Sequence, residues 1–255
     1  MNKIFFCIRR FQGMTGQSFT FKQFQVHQEK SGMKVGTDGV LLGAWANGGK
    51  QILDIGTGTG LIALFMAQRF ANAKIDGIDI DADTCLQAQE NIAASPFKGR
   101  IAIKNISLQD YAFPALKELA TKASHYDAIV SNPPFFVNSL HNPDHKRNVA
   151  RHADFLPFRD LLRGVKELLS ADGEFSVIIP TEELDSFLSE SCISGLFEYR
   201  RCCVRTTPRK AAKRVLLSFR KSSSGSPEQE THTLLNADGS RSEWYRNLTK
   251  DFYLT

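Results

Sequence analysis

The sequence predicts an α/β protein built on an open, mostly parallel seven-stranded sheet with helices on both faces. Three observations carry that reading. Short apolar runs alternate with longer helix-patterned stretches from Lys50 to Arg220, an order that joins parallel strands by crossover helices. The first core strand runs straight into a glycine-rich turn, Gly56-Thr-Gly58-Thr-Gly60, of the kind that opens a nucleotide-type site at a sheet edge. Finally, 255 residues with 42% hydrophobic and 23% charged content are enough to bury one large core, and exclude disorder as the main state.

Taken in order, the seven strands are expected at Gln51–Ile55, Lys74–Ile80, Ile101–Asn105, Tyr126–Ser131, Glu174–Ile179, Phe197–Val204 and Arg214–Phe219. Apolar residues recur on one helical face over Leu61–Phe70, Ala82–Ala94, Pro114–Ala123, Phe158–Leu169 and Thr181–Glu190. Ala171-Asp172-Gly173 reads as a stop after the fourth of these helices. Ahead of the core, Phe19, Phe21, Phe24 and Val26 nearly alternate with polar residues, which predicts a small hairpin acting as a cap. Residues 1–16 match nothing downstream and read as a lead. After Phe219 comes the flexible composition Lys221-Ser-Ser-Ser-Gly-Ser-Pro227, then a strand near Thr231–Leu235, a turn at Asn236–Gly239 and a short helix through Trp244 and Leu248. The expected organisation is thus a cap over 1–45, a core domain over 46–221 and a strand-helix appendage over 222–255.

Other classes are excluded on composition. No run approaches the ~18 apolar residues that cross a bilayer, and the short stretch Ile4–Ile8 ends at Arg9. Five cysteines without a C-x-x-C pair suggest neither a disulfide framework nor a zinc site. A soluble, cytoplasmic, metal-free protein is expected, and a monomer. The net charge of +5 is mild, so its placement matters.

The glycines at 56, 58 and 60 fall at every second position. A dinucleotide fingerprint instead spaces them to lay a pyrophosphate on the helix N-terminus, so a ligand without phosphate is favoured, and a nicotinamide oxidoreductase disfavoured. Asp79 ends the next strand about 20 residues on, where an acid can accept both hydroxyls of a ribose; a helix N-cap is its plainer role, but Asp81 and Asp83 suit that better. Asp110 can accept from an adenine amino group with Tyr111 beside the ring, although alone it would read as a solvated loop acid. Together these three loops describe an adenosine at the carboxyl edge of the sheet.

The fourth strand ends in Asn132-Pro133-Pro134-Phe135. Two prolines stiffen the loop, so the Asn132 side-chain oxygen and the Pro133 carbonyl can both accept from one planar amino group, while Phe135 stacks on the base that bears it. In an arbitrary loop the same residues would be a turn; their place beside an adenosine site argues for chemistry.

With these residues the chain resembles the class I S-adenosylmethionine-dependent methyltransferases with a Rossmann-like fold, over roughly Thr37–Phe219. Within them it looks most like the bacterial valine-tRNA adenine-37 N6-methyltransferases, through Met33-Lys-Val-Gly-Thr37-Asp38-Gly39-Val-Leu-Leu-Gly43, Asn132-Pro-Pro-Phe-Phe-Val-Asn138, and Arg205-Thr-Thr-Pro208 followed by Lys213-Arg214. The resemblance implies cofactor binding by Asp54, Gly56, Gly58, Gly60, Asp79 and Asp110, with Thr37 closing over the methionine end and Asn132 reaching the same ligand. It implies catalysis by Asn132, Pro133, Pro134 and Phe135. Adenine-directed enzymes often carry tyrosine where this chain has Phe135, and phenylalanine also occurs in ribosomal-RNA guanine-N2 methyltransferases, so guanine-N2 transfer stays open, as does glutamine-N5 methylation of a protein.

An RNA substrate needs a basic surface. Arg200 to Lys221 includes Arg205, Arg209, Lys210, Lys213 and Arg214 without one acid, and Lys146, Arg147 and Arg151 follow the catalytic loop. The plainer reading is a strand edge guarded by charge; the functional one is a rim that tracks the phosphates of a tRNA. A non-catalytic RNA-binding module on the same fold is disfavoured by the intact Asn132–Phe135 loop.

Overall fold

The computed structural model describes residues 18–31, 34–113, 126–134, 156–223 and 225–254. The expected helix Pro114–Ala123 and the lead over 1–16 lie outside them.

A two-stranded antiparallel ribbon comes first, β1 (Ser18–Thr20) with β2 (Gln25–His27). Phe19, Phe21, Phe24 and Val26 are all buried, so the expected hairpin forms and its aromatic face is core. Each buried Phe contributes roughly 1.5–3 kcal/mol, which holds so small a ribbon without pairing it to the main sheet. Helix α1 (Thr37–Trp45), absent from the sequence reading, follows; past Asp38 it is apolar and buried along its whole length, and so shows no amphipathic period.

The core then alternates as expected: β3 (Gln51–Ile55), α2 (Leu61–Arg69), β4 (Lys74–Asp79), α3 (Ala82–Ala93), β5 (Ile101–Asn105), the short α4 (Leu108–Ala112), β6 (Tyr126–Ser131), α5 (Phe158–Leu168), β7 (Leu169–Pro180), α6 (Leu184–Ile193), β8 (Phe197–Arg205), β9 (Ala212–Arg220), β10 (Glu228–Thr233) and α7 (Glu243–Thr249). Asp81 caps α3, accepting from Thr84 N at 2.7 Å, as its sequence position predicted.

Among the described residues eight strands, not seven, form the main sheet, in the order β10-β8-β9-β7-β6-β3-β4-β5. The eighth is β10: the tail's strand joins the sheet edge parallel to β8. Only β9 runs antiparallel to its neighbours. Ala171-Asp172-Gly173 also acts differently from the expected helix stop. β7 begins at Leu169, opposite Tyr126, and pairing resumes at Glu174 opposite Ala128, so those residues bulge out of the pairing.

One apolar cluster under α1, α2, the ribbon and the tail includes Phe65, Tyr245 and Phe252. A second, on the other face under α4, α5 and α6, includes Leu161, Phe175 and Phe187. Two covered faces explain why the central strands are continuously apolar.

Candidate functional site at the carboxyl edge of the sheet

Register brings the predicted loops together. Ile55 stands opposite both Ile78 and Ser131, and Asp79 opposite Asn105, so the turns after β3, β4, β5 and β6 leave one edge at one level. Neighbouring strands lie ~4.8 Å apart. The first residue past β6, Asn132, therefore emerges beside the first past β3, Gly56.

Gly56 and Gly58 adopt φ of 68° and 56°, a left-handed geometry that costs an L side chain roughly 1–2 kcal/mol. A Cβ at Gly56 would meet nothing within 4 Å, and one at Gly58 only the Gly56 carbonyl at 4.0 Å. The turn is open to a ligand on that side. Gly60, also at positive φ, precedes α2. The loop is fixed from beneath: Gly56 N and Thr57 N donate to Ile78 O, and Gly58 N donates to the Asp79 carboxylate at 3.0 Å.

Asp54 is the most unusual group here. It is fully buried; Thr57 Oγ1 and Ala63 N donate to its Oδ2 at 2.8 and 3.1 Å, while its buried Oδ1 has no partner. Burial pushes its carboxyl up to about 7. A buried oxygen with no partner is costly. Asp79 is also raised by burial, opposed by the backbone N–H of Asp81 and of Gly58. One oxygen accepts from each, so the acid expected to meet a ribose also closes the glycine loop.

Asp110 sits on α4 in a reciprocal cap. Its backbone N donates to Ser107 Oγ at 3.0 Å, and that hydroxyl donates to the Asp110 carboxylate at 2.7 Å. The sequence reading missed Ser107, although S-x-x-D is a capping pattern. Tyr111 is anchored away from the edge: its hydroxyl bonds to Asp76 Oδ2 at 3.2 Å and to Tyr126, and Lys104 Nζ donates to it at 3.1 Å. This ties α4 onto the sheet.

Thr37 is the first residue of α1 and is buried. The segment leading to it is pinned by α3, through residues that the sequence reading passed over. Asn91 accepts from His27 N and donates to the carbonyls of His27 and of Thr59 in the glycine turn, at 2.8–2.9 Å. Gln87 Oε1 accepts from Lys30 N at 3.2 Å. Two amides on the buried face of an amphipathic helix were the available signal. Ser131 Oγ donates to Ile55 O at 3.0 Å and fixes where β6 releases Asn132. Asn132 and Pro134 are half-buried and Pro133 is buried. Phe135, Lys146, Arg147 and Arg151 lie outside the described residues.

The basic run divides. Arg200 and Arg220 both donate to the buried Glu174 at 3.0 Å, and Arg201 donates to Glu198; all three are spent inside the sheet. The other half turns between β8 and β9, and because Pro180 pairs with Arg214 and Arg205 with Ala212, that hairpin stands on the same edge as Asn132. Arg205, Arg209, Lys210 and Lys213 are exposed there, while Arg214 Nε donates to Asp38, next to Thr37, at 2.8 Å. Among the described residues, ligand-type atoms of Cys202, Glu230 and His232 come within 4.8 Å of one another on β8 and β10, strands away from β6. There Glu230 accepts from Trp45 Nε1 and bonds His232.

Comparisons with known proteins identify relatives of this chain. The family described as "Methyltransferase small domain" matches residues 30–185. The chain is 45% identical, over 94% of its length and 99% of the relative's, to the tRNA1(Val) (adenine(37)-N6)-methyltransferase of Parabacteroides distasonis. It is 42% identical, over 94% and 99%, to the protein of that name from Trichodesmium erythraeum. Among solved structures, a predicted O-methyltransferase of Agrobacterium tumefaciens covers 84% of the chain, and 96% of itself, with a TM-score of 0.67 at 16% identity, a likeness of fold. No described helix is long and apolar enough to cross a membrane.

Proposed function

Since the chain belongs to the methyltransferase small-domain family, with near-full-length relatives among the tRNA1(Val) (adenine(37)-N6)-methyltransferases, we propose that it methylates the exocyclic N6 of adenine 37 in valine tRNA, in the cytoplasm. The observation that carries this is the release of Asn132-Pro133-Pro134 from β6 beside the glycine turn, set by the Ile55–Ser131 register.

S-adenosylmethionine supplies an electrophilic methyl on a sulfonium. The residues present fit it: an open glycine turn at 56 and 58, the buried unpartnered Asp54 oxygen beneath, Asp79 for the ribose, Asp110 for the adenine end, and Thr37 with Asn132 for the methionine end. The amino nitrogen of adenine is a poor nucleophile because its lone pair is delocalised into the ring. Asn132 Oδ1 and the Pro133 carbonyl accept its two N–H groups and turn that lone pair toward the methyl. The two prolines hold both acceptors before the substrate arrives, so the catalysis is positioning and preorganised dipoles. No base is needed at the outset; the proton becomes acidic once nitrogen has taken the methyl, and leaves to water. The residues over 46–221 form the catalytic unit in this reading, with Phe135 stacking on the base.

A stacked base would have to be flipped to reach the pocket, whereas an anticodon-loop base is already unpaired. Incubation with labelled S-adenosylmethionine and total RNA, followed by nucleoside analysis, tests the proposal. N6-methyladenosine is expected in tRNA; N2-methylguanosine, or label in protein alone, would replace it.

A further inference from the structure

We propose that Arg214 is a positioning residue for the cofactor and not one of the hairpin's phosphate contacts: through Asp38 it sets the first turn of α1, and Thr37 with it, against the glycine turn. This rests on the S-adenosylmethionine reading above. The N-terminus of α1 needs such a hold. Its N-cap, Gly36, has no side chain to accept from the first-turn N–H groups, and the first helical bond, Val40 N to Gly36 O, is stretched to 3.4 Å. Yet this turn lies at the mouth of the site. A Cβ on Gly39 would meet Leu61 Cδ2 at 2.9 Å, and Leu61 is the first residue of α2 after Gly60, so the turn that bears Thr37 packs where the glycine loop enters its helix. The chain leading into it is fixed by Val35 N, which donates to Gln28 Oε1 at 2.7 Å.

The sheet places Arg214 to hold the turn itself. Arg214 pairs with Pro180 on β7 and with Val204 on β8, at the carboxyl edge. Its Nε donates to Asp38 Oδ2 at 2.8 Å and its Nη1 to Lys213 O at 3.0 Å, two bonds that fix the guanidinium plane. The Arg214 and Asp38 side chains are 30% and 28% exposed, whereas Arg205, Arg209, Lys210 and Lys213 stand in solvent. A cation beside a helix N-terminus opposes the helix dipole, so it is Asp38, in that first turn, that makes the place favourable for Arg214. Without the pair the uncapped turn is free to fray, and Thr37 is no longer held ready for the ligand; the cost falls on cofactor binding, through lost preorganisation, and not on RNA binding.

The test compares Arg214→Gln and the isosteric Asp38→Asn with Arg214→Lys. Arg214→Gln and Asp38→Asn are each expected to raise the Kd for S-adenosylhomocysteine and the KM for S-adenosylmethionine about fivefold, the scale of one partly covered, charge-assisted pair. At saturating cofactor kcat changes less than about twofold, because bound ligand restores the turn. The double variant Arg214→Gln/Asp38→Asn loses no more than either single one, since both remove the same contact, and Arg214→Lys, which keeps a cation beside Asp38, recovers part of the loss. In Arg214→Gln the KM for tRNA, and the slope of log K for tRNA against log[salt], stay at the parent's values. Parent-like cofactor affinity in both single variants would overturn the assignment, as would fully additive losses in the double variant. A slope flattened by about 0.9 in Arg214→Gln would overturn it too, by making Arg214 a phosphate contact. Each of these leaves the methylation reading standing; failure of the parent itself to bind S-adenosylhomocysteine would overturn both.

Discussion

Replacing Asp54 by Asn tests the electrostatics under the glycine turn. The carboxyl is fully buried, with two donors on Oδ2 and none on Oδ1, and burial lifts its titration from the ordinary 3.8 to about 7. The native state thus keeps a proton there that the unfolded chain releases near pH 4. Between those values the unfolded state binds fewer protons, so unfolding becomes easier as pH rises. The stability from this group is fully present below about pH 4 and lost by the time pH passes about 7. A shift of roughly three units, at 1.36 kcal/mol each, makes that loss on the order of 4 kcal/mol. Asparagine cannot ionise, and its oxygen can take the two donors. Denaturant unfolding of both ligand-free proteins from pH 5 to 8 should show the parent losing ground to Asp54→Asn by about 1.4 kcal/mol per unit up to pH 7, with the variant the more stable at pH 8. The same variant should bind S-adenosylhomocysteine more weakly, since it offers no negative charge to the ligand's ammonium. Parallel stability curves would refute the assignment of a raised, buried carboxyl.

Asn132→Ala should lower kcat by on the order of 10²-fold in single-turnover methyl transfer; an undiminished rate would remove Asn132 from the mechanism. Gly43→Ala should cost about 1–3 kcal/mol in chemical denaturation, because a Cβ there meets Phe65 Cβ at 2.7 Å and pushes α1 off α2; a neutral result would mean the two helices are not packed so closely. Binding of tRNA should weaken steeply as salt rises, and Arg209→Gln/Lys210→Gln should flatten that dependence by about two units of slope, an unchanged slope arguing against the hairpin as a phosphate contact.

The sequence by itself determined the alternating order, the glycine turn, the acids after the strands and the stiff Asn132-Pro133-Pro134 exit, because each of these is a local pattern: apolar period, backbone freedom, proline geometry. Tertiary structure alone decided the rest. Nine basic residues in one run look alike in sequence, yet Glu174 reaches Arg200 and Arg220 from another strand and Glu198 holds Arg201, so three of the nine are engaged within the sheet while the hairpin faces the site. β10 carries little apolar signal because it is a largely exposed edge, so its membership of the sheet came from pairing with β8. α1, buried at every position but Asp38, has no period to read. Asn91 joins the ribbon to the glycine turn across 64 and 32 residues of chain, and hydrogen bonds over such separations leave no trace in local spacing.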